Sequence, residues 1–225
     1  MAIFRLGELF SGPGGIALGA KDAIVRNEEE EFKIVHQWAN DYDKDTCATY
    51  KHNICPESKN SVICKDIRKL DINKLKNIDA LAFGFPCNDF SIVGEQKGID
   101  GVFGPLYSYG VNVLRRFQPK WFLAENVGGL RNSNDGQAFK TIINELRNAG
   151  YKVVPHLYKF ENYEVPQARH RIIIIGIRND IDVNFKVPII PENKIITSRE
   201  AILTPPISEN ALNNELTKQS QTVVE

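Results

Sequence analysis

Little in this chain is suited to holding a metal or bracing the fold covalently. Cysteine is scarce: Cys47, Cys55, Cys64 and Cys87 are the four in 225 residues, and no two stand as C-x-x-C. That spacing fits neither a zinc knuckle nor a secreted disulfide framework, so reduced thiols are expected. His36, His52, His156 and His170 show no ligand spacing either, and no metal is expected. An excess of one charge is also missing, since 28 basic residues balance 28 acidic ones. A domain that gripped nucleic acid by its overall field would be basic, so any such contact must rest on a local cleft. No apolar run approaches the ~20 residues that span a bilayer. Met1-Ala2-Ile3-Phe4-Arg5 has no cationic region leading into an apolar core, so no secretory leader is read there. A cytosolic location without a membrane partner is expected. Internal repeats and long low-complexity tracts are absent too.

What is present is a rhythm of short apolar strand, turn and amphipathic helix. It predicts an α/β fold, a doubly wound and mostly parallel sheet with helices on both faces. Strands are expected near 4–10, 33–39, 61–64, 80–85, 121–125, 153–159 and 172–177. Helices are expected near 16–25, 43–52, 106–117 and 137–149, with a short helix or turn near 70–75. Asp43 is placed to cap the second helix, whose inner face would carry Cys47 and Tyr50. Gly150 stands where a helix stops. Chains of this length bury roughly 70–75% of their unfolded surface, enough for one large domain. That domain is expected over 1–180, with 181–225 an irregular appendage holding Pro188, Pro191, Pro205 and Pro206.

Six stretches at expected strand ends carry chemistry. Phe10-Ser11-Gly12-Pro13-Gly14-Gly15 joins the first strand to the first helix. Its glycines allow a sharp turn and a close ligand approach, and the helix start offers free N–H groups to an anion. Read as G-x-G-x-x-A it also fits a dinucleotide fingerprint, so alone it means a nucleotide-like ligand or merely a tight turn. Asp41-Tyr42 follows the second strand. The acid could accept ribose hydroxyls and the aromatic could stack on adenine, or the acid could simply favour the next helix dipole. Asp66-Ile67 could meet an adenine amino group and ring face, cap a helix, or do both.

The fourth stretch is Gly84-Phe85-Pro86-Cys87-Asn88-Asp89-Phe90-Ser91. Its proline restrains the backbone before a sulfur at a strand's carboxyl end, where doubly wound sheets open to ligand. A thiolate attacks, so such a site must supply positive or donor groups. The loop beyond carries Gly94, Gly98, Gly101 and Gly104, and its length suits a lid. Ser91 and Lys97 are its candidate nucleic-acid contacts. Glu125-Asn126-Val127 puts a carboxyl at the same edge, where burial would favour a protonated acid able to donate to a ring nitrogen. In Gln167-Ala168-Arg169-His170-Arg171, alternation puts the two guanidinium groups on one side, suited to an anion or a carbonyl oxygen.

Taken in order from about Arg5 to Arg178, this set closely resembles the DNA (cytosine-5) methyltransferases. The resemblance implies the S-adenosylmethionine-dependent version of the doubly wound sheet. Phe10, Gly12, Pro13, Gly14 and Gly15 would line the cofactor pocket, and Asp41 and Tyr42 would hold ribose and adenine. Asp66 and Ile67 would recognise adenine, with Gly84, Pro86 and Leu106 completing the wall. Cys87 would add to C6 of a flipped-out cytosine. Glu125 would bind the N3 side, and Arg171, with Arg169 nearby, would hold the carbonyl oxygen. Double-stranded DNA is the implied partner, and a bacterial restriction–modification system the implied setting.

Two small departures stand out, Asn88 where glutamine is commoner and Lys65 where glycine often precedes the aspartate. A larger one is that the family's target-recognition region, its later arginine-rich motif and its final Gly-Asn segment are not found in these 225 residues. A truncated enzyme, or a split one with a second chain supplying the rest, would account for that, and the isolated chain is expected to be inactive or weakly active. A tRNA methyltransferase of the same family and a non-catalytic remnant that binds cofactor or a partner are the rival readings. A dinucleotide oxidoreductase would leave Cys87, Glu125 and the arginines unexplained.

Overall fold

The computed structural model describes residues 1–26, 29–86, 106–189 and 195–203. The expected lid and nucleophile loop, including Cys87, Ser91 and Lys97, lies outside them. The described residues fall in two compact units. One is built from Met1–Tyr158 and His170–Pro188, and the other contains Lys159–Arg169 and a short helix, Ser198–Leu203.

The first unit is built on a sheet. In chain order its strands are β1 (Ala2–Leu9), β2 (Ile24–Arg26), β3 (Glu31–Asp41), β4 (Val62–Cys64), β5 (Ala80–Gly84), β6 (Trp121–Val127), β7 (Tyr151–Lys159) and β8 (His170–Arg178). The sheet order is β2-β3-β1-β5-β6-β8-β7, with β4 paired to β3. From β1 the chain winds outward through β3 to β4, then returns to β5 and winds the other way. This reversal makes a crevice beyond the carboxyl ends of β1, β3 and β5, where open α/β sheets take ligand. Strands β1, β3, β4, β5 and β6 run parallel, while β8 runs antiparallel to β6. The start of β8 therefore arrives at the same edge as the ends of the others.

Alternation sets the two faces. On β5, Leu81 and Phe83 pack on one side with helices α3 (Tyr107–Phe117) and α4 (Gln137–Asn148), through Val111, Val113, Leu114, Ile142 and Leu146. Ala80 and Ala82 face the other side, where α1 (Gly15–Asp22) contributes Ile16 and Ala20. Helix α2 (Lys44–Asn53) buries Cys47 and Tyr50 against Ala17, Ala39 and Val62. Asp43 caps α2 as expected, its carboxylate accepting from the Thr46 N–H at 2.8 Å.

One boundary differs from expectation. The first helix ends at Asp22, not near Val25, and Ile24–Arg26 pairs antiparallel with Glu31–Lys33. Ala23 is already extended, and the β-branched pair Ile24-Val25 gains ladder hydrogen bonds on the edge of β3. Residues 67–69 and 72–74 form two short 3-10 turns, the form taken by the element expected near 70–75. Among the described residues, no helix is long and apolar enough to cross a membrane.

Candidate active site

The glycine loop leaves β1 under constraint. Leu9 is fully buried, and Phe10 takes a left-handed backbone with φ 54°, unusual for a bulky residue and typical of a functional turn. Gly12 and Gly14 follow with φ 53° and 99°. A Cβ on Gly14 would stand 2.9 Å from Ile54 and 3.0 Å from Tyr50, so the loop sits directly on α2. Helix α1 begins there with no side-chain cap and no acid in its first turn. Its first N–H groups are left for an anion. The Ser11 hydroxyl is buried without a hydrogen-bond partner among the described residues.

Asp41 ties this loop to β3. One carboxylate oxygen accepts from the Gly12 N–H at 2.8 Å and the other from the Asp43 N–H at 3.0 Å. Carboxylate lone pairs remain for a ligand. Tyr42 is 78% exposed, an uncovered aromatic face at the pocket rim. Asn40, fully buried, donates to the carbonyls of Ile63 and Lys65, both at 2.8 Å, and its own carbonyl receives the Ser11 N–H. It therefore holds three strand ends in register. Asp66 is gripped by Arg68, whose Nη2 and backbone N–H reach it at 2.5 and 2.9 Å. Those side-chain bonds hold its carboxyl down at about 2.

Together these walls enclose about 310 Å³, lined by Phe10, Asn40, Asp41, Tyr42, Lys65, Asp66, Ile67, Arg68, Gly84, Pro86 and Leu106. Eight of the residues named from sequence line it. Gly12, Pro13, Gly14 and Gly15 form the loop beside it and do not. Asn40, Lys65 and Arg68 were not assigned roles from sequence. Asn40 acts through tertiary bonds that spacing does not reveal, while Arg68 acts locally on Asp66, two residues before it.

Past Gly84 the second half of the site begins. Gly84 pairs with Glu125 across β5 and β6, and a Cβ on Gly84 would lie 3.4 Å from the Glu125 carboxylate. Arg171 lies diagonally across from it on β8, and its Nε is 3.0 Å from that carboxylate. Both side chains are about a quarter exposed. Glu125 thus stands in a half-open ion pair, because β8 delivers a guanidinium to the same face. Arg169 precedes β8 in the second unit, exposed, with its carbonyl accepting from the Phe160 N–H at 2.9 Å.

Asn126, buried like Asn40, donates to the Phe85 carbonyl at 3.1 Å and so fixes the exit of β5 one residue before Pro86. Asn126→Ala leaves that carbonyl unpaired. It is expected to cost about 2 kcal/mol in urea denaturation, whereas an unchanged midpoint would show the bond to be dispensable.

Residues 4–225 match the model of the C-5 cytosine-specific DNA methylases. The chain belongs to that family. It is 55% identical over 232 residues to the Type II methyltransferase M.BbvI of Brevibacillus brevis, covering 99% of this chain and 62% of that protein. It is 34% identical to the Type II methyltransferase M.NgoFVII of Neisseria gonorrhoeae, over 94% of this chain and 55% of that one. The fold superposes on a mutant of Spodoptera frugiperda DNMT2 with a TM-score of 0.66 at 23% identity, over 88% of this chain and 59% of that one. The chain thus spans 55–62% of the length of these relatives. The C-5 methylases are S-adenosylmethionine-dependent, which sets the ligand against which the 310 Å³ pocket is to be judged.

Proposed function

We propose that this chain is the cofactor-binding and base-handling portion of a Type II DNA cytosine-5 methyltransferase. It moves a methyl group from S-adenosylmethionine to C5 of a cytosine flipped out of duplex DNA. The observation that carries this reading is the Glu125–Arg171 pair standing over Gly84, two residues before Pro86-Cys87 and beside the adenosyl-sized pocket.

S-adenosylmethionine supplies an electrophilic methyl group on a sulfonium centre. The residues present suit it. Asp41 accepts ribose hydroxyls, Tyr42 and Ile67 sandwich the adenine, and Asp66, held ionised by Arg68, accepts the amino group. The start of α1 and the Ser11 hydroxyl meet the methionine end. On the base side, C5 of cytosine is a poor nucleophile until C6 carries an addend. The Cys87 thiolate adds to C6 while Glu125 holds N3 and supplies a proton, and the electron pair moves to C5. Arg171 grips the carbonyl oxygen and orients Glu125, with Arg169 available to neighbouring anions. After C5 is methylated, loss of its proton expels the Cys87 thiolate and restores the ring. A base within the stack is out of reach of these groups, so flipping is required. Ser91 and Lys97 would contact the DNA. Choice of target lies with sequence equivalent to the unmatched part of the relatives, on a continuation or on a second chain, so the isolated 225 residues are inactive or weakly active.

Equilibrium binding tests the cofactor half. The chain should bind S-adenosylmethionine and not NAD, and the reverse preference would sink the reading. Arg68→Ala should weaken S-adenosylmethionine binding roughly three- to ten-fold, since Asp66 loses the donor that orients its charge. Calorimetric titration measures this, and an unchanged Kd would exclude Asp66–Arg68 from adenine recognition.

A further inference from the structure

Glu8 is a carboxylate that the methyl-transfer mechanism leaves unused, and it is 1% exposed at the next-to-last position of β1. It shares a hydrogen bond with the Tyr50 hydroxyl. That hydroxyl lies 3.1 Å from Nδ1 of His36, and Nε2 of His36 lies 2.6 Å from the Ser61 hydroxyl. Ser61 in turn lies 2.5 Å from the Ser58 carbonyl. Four side chains therefore connect the floor of the sheet to an open pocket of about 680 Å³ lined in part by His36, Ser58 and Ser61. The ring of Tyr50 is also the seat of Gly14.

The direction of the chain depends on one proton. With Glu8 protonated, Glu8 donates to Tyr50, Tyr50 to Nδ1 of His36, Nε2–H to Ser61, and Ser61 to the Ser58 carbonyl. Every donor finds an acceptor. With Glu8 ionised, Tyr50 donates to Glu8 and Nδ1–H to Tyr50. Ser61 must then turn its proton to Nε2 and abandon the Ser58 carbonyl, and a charge is left buried. Removing one proton thus reverses three links and breaks the fourth.

Burial pushes Glu8 up to about 7 and His36 down to about 4. Facing Glu8 are Tyr50 from α2, His36 from β3 through Tyr50, and Cys55 just past α2, with Lys51 reaching Cys55. Ala39 and Ala82, its neighbours on β3 and β5, carry no charge.

We propose that this chain is a proton-operated support of the glycine loop. Protonated Glu8 holds Tyr50 against Gly14, and cofactor affinity falls when Glu8 gives up its proton. The inference rests on the cofactor reading above. The signs follow from linkage. Glu8 is higher in the folded chain than its ordinary 4.5, so its contribution is full below that value and is lost as pH rises through about 7. His36 is lower than its ordinary 6.5, so its contribution is present above that value and is lost as pH falls through about 4. Affinity, resting on protonated Glu8 beneath the loop, should weaken on the alkaline side as Glu8, and not His36, gives up its proton.

The test is calorimetric titration of S-adenosylmethionine into the 225-residue chain and its Glu8→Gln variant from about pH 6 to about pH 8.5. The wild-type Kd should rise roughly ten-fold across that range beyond any change in the variant, which mimics the protonated acid. The ligand's own amino group titrates equally in both. Infrared spectroscopy of the wild type supplies a second reading that needs no variant. A protonated-carboxyl band should vanish with the midpoint of the affinity change. A level wild-type Kd, a variant with the wild-type slope, or no such band overturns the support and leaves the cofactor reading standing. Absence of binding at every pH overturns both.

Discussion

Arg171→Ala is expected to lower methyl transfer by two to three orders of magnitude while leaving S-adenosylmethionine affinity within about two-fold. Arg171 reaches Glu125 at 3.0 Å on the far side of Gly84 from the adenosyl pocket, so its loss falls on the base and not on the cofactor. In the proposed mechanism two functions would go together: the grip on the cytosine carbonyl oxygen and the orientation of the carboxyl at N3. Arg171→Lys should recover only part, because an ammonium cannot reproduce the planar fork. Stability should change by about 1 kcal/mol or less, since the pair is half open and screened. The assay is transfer of labelled methyl groups to DNA by this chain fused to the part of M.BbvI outside the match. A variant that loses cofactor affinity and rate in parallel would place Arg171 in the wrong half of the site.

Gly14→Val should abolish measurable cofactor binding and destabilise the fold by about 2–4 kcal/mol. Gly14 has φ 99°, and any Cβ there meets Ile54 and Tyr50 at 2.9–3.0 Å. The loop must lift off α2, taking the start of α1 with it. Gly12→Ala is the control. Its φ is also positive, at 53°, but nothing among the described residues lies within 4 Å of the added carbon. It should cost roughly 1–2 kcal/mol from backbone strain alone. Thermal denaturation and calorimetric titration separate the two. Equal behaviour of the variants would mean that contact with α2 does not set the loop.

The alternation of strands and helices and most strand ends are legible because the signals are local. The buried run Ala80–Gly84, the Asp43 cap and Gly150 beyond α4 each act within a few residues of themselves. Strand ends bring Asp41, Asp66 and Glu125 to one edge, so their order in the chain already grouped them. The first helix was read too long because Ile24-Val25 fits both periods, and only the edge of β3 decides between them. Asn40 and Asn126 act across gaps that no periodicity encodes. Glu8 did leave a sign, a charged residue inside the buried stretch Leu6-Gly7-Glu8-Leu9, but its partners Tyr50 and His36 come from α2 and β3. The pairing of Glu125 with Arg171 was not legible, because it depends on β8 running antiparallel to β6.

The central claim is that Cys87 adds to the base. Incubating the M.BbvI-completed chain with S-adenosylmethionine and duplex DNA containing 5-fluorocytosine tests it, because fluorine at C5 blocks the elimination that would free the sulfur. After digestion, mass spectrometry should find a methylated fluorocytosine nucleotide on the peptide holding Cys87, and none with Cys87→Ala. Methyl transfer to ordinary DNA without any such adduct, or an adduct on another residue, would contradict the account.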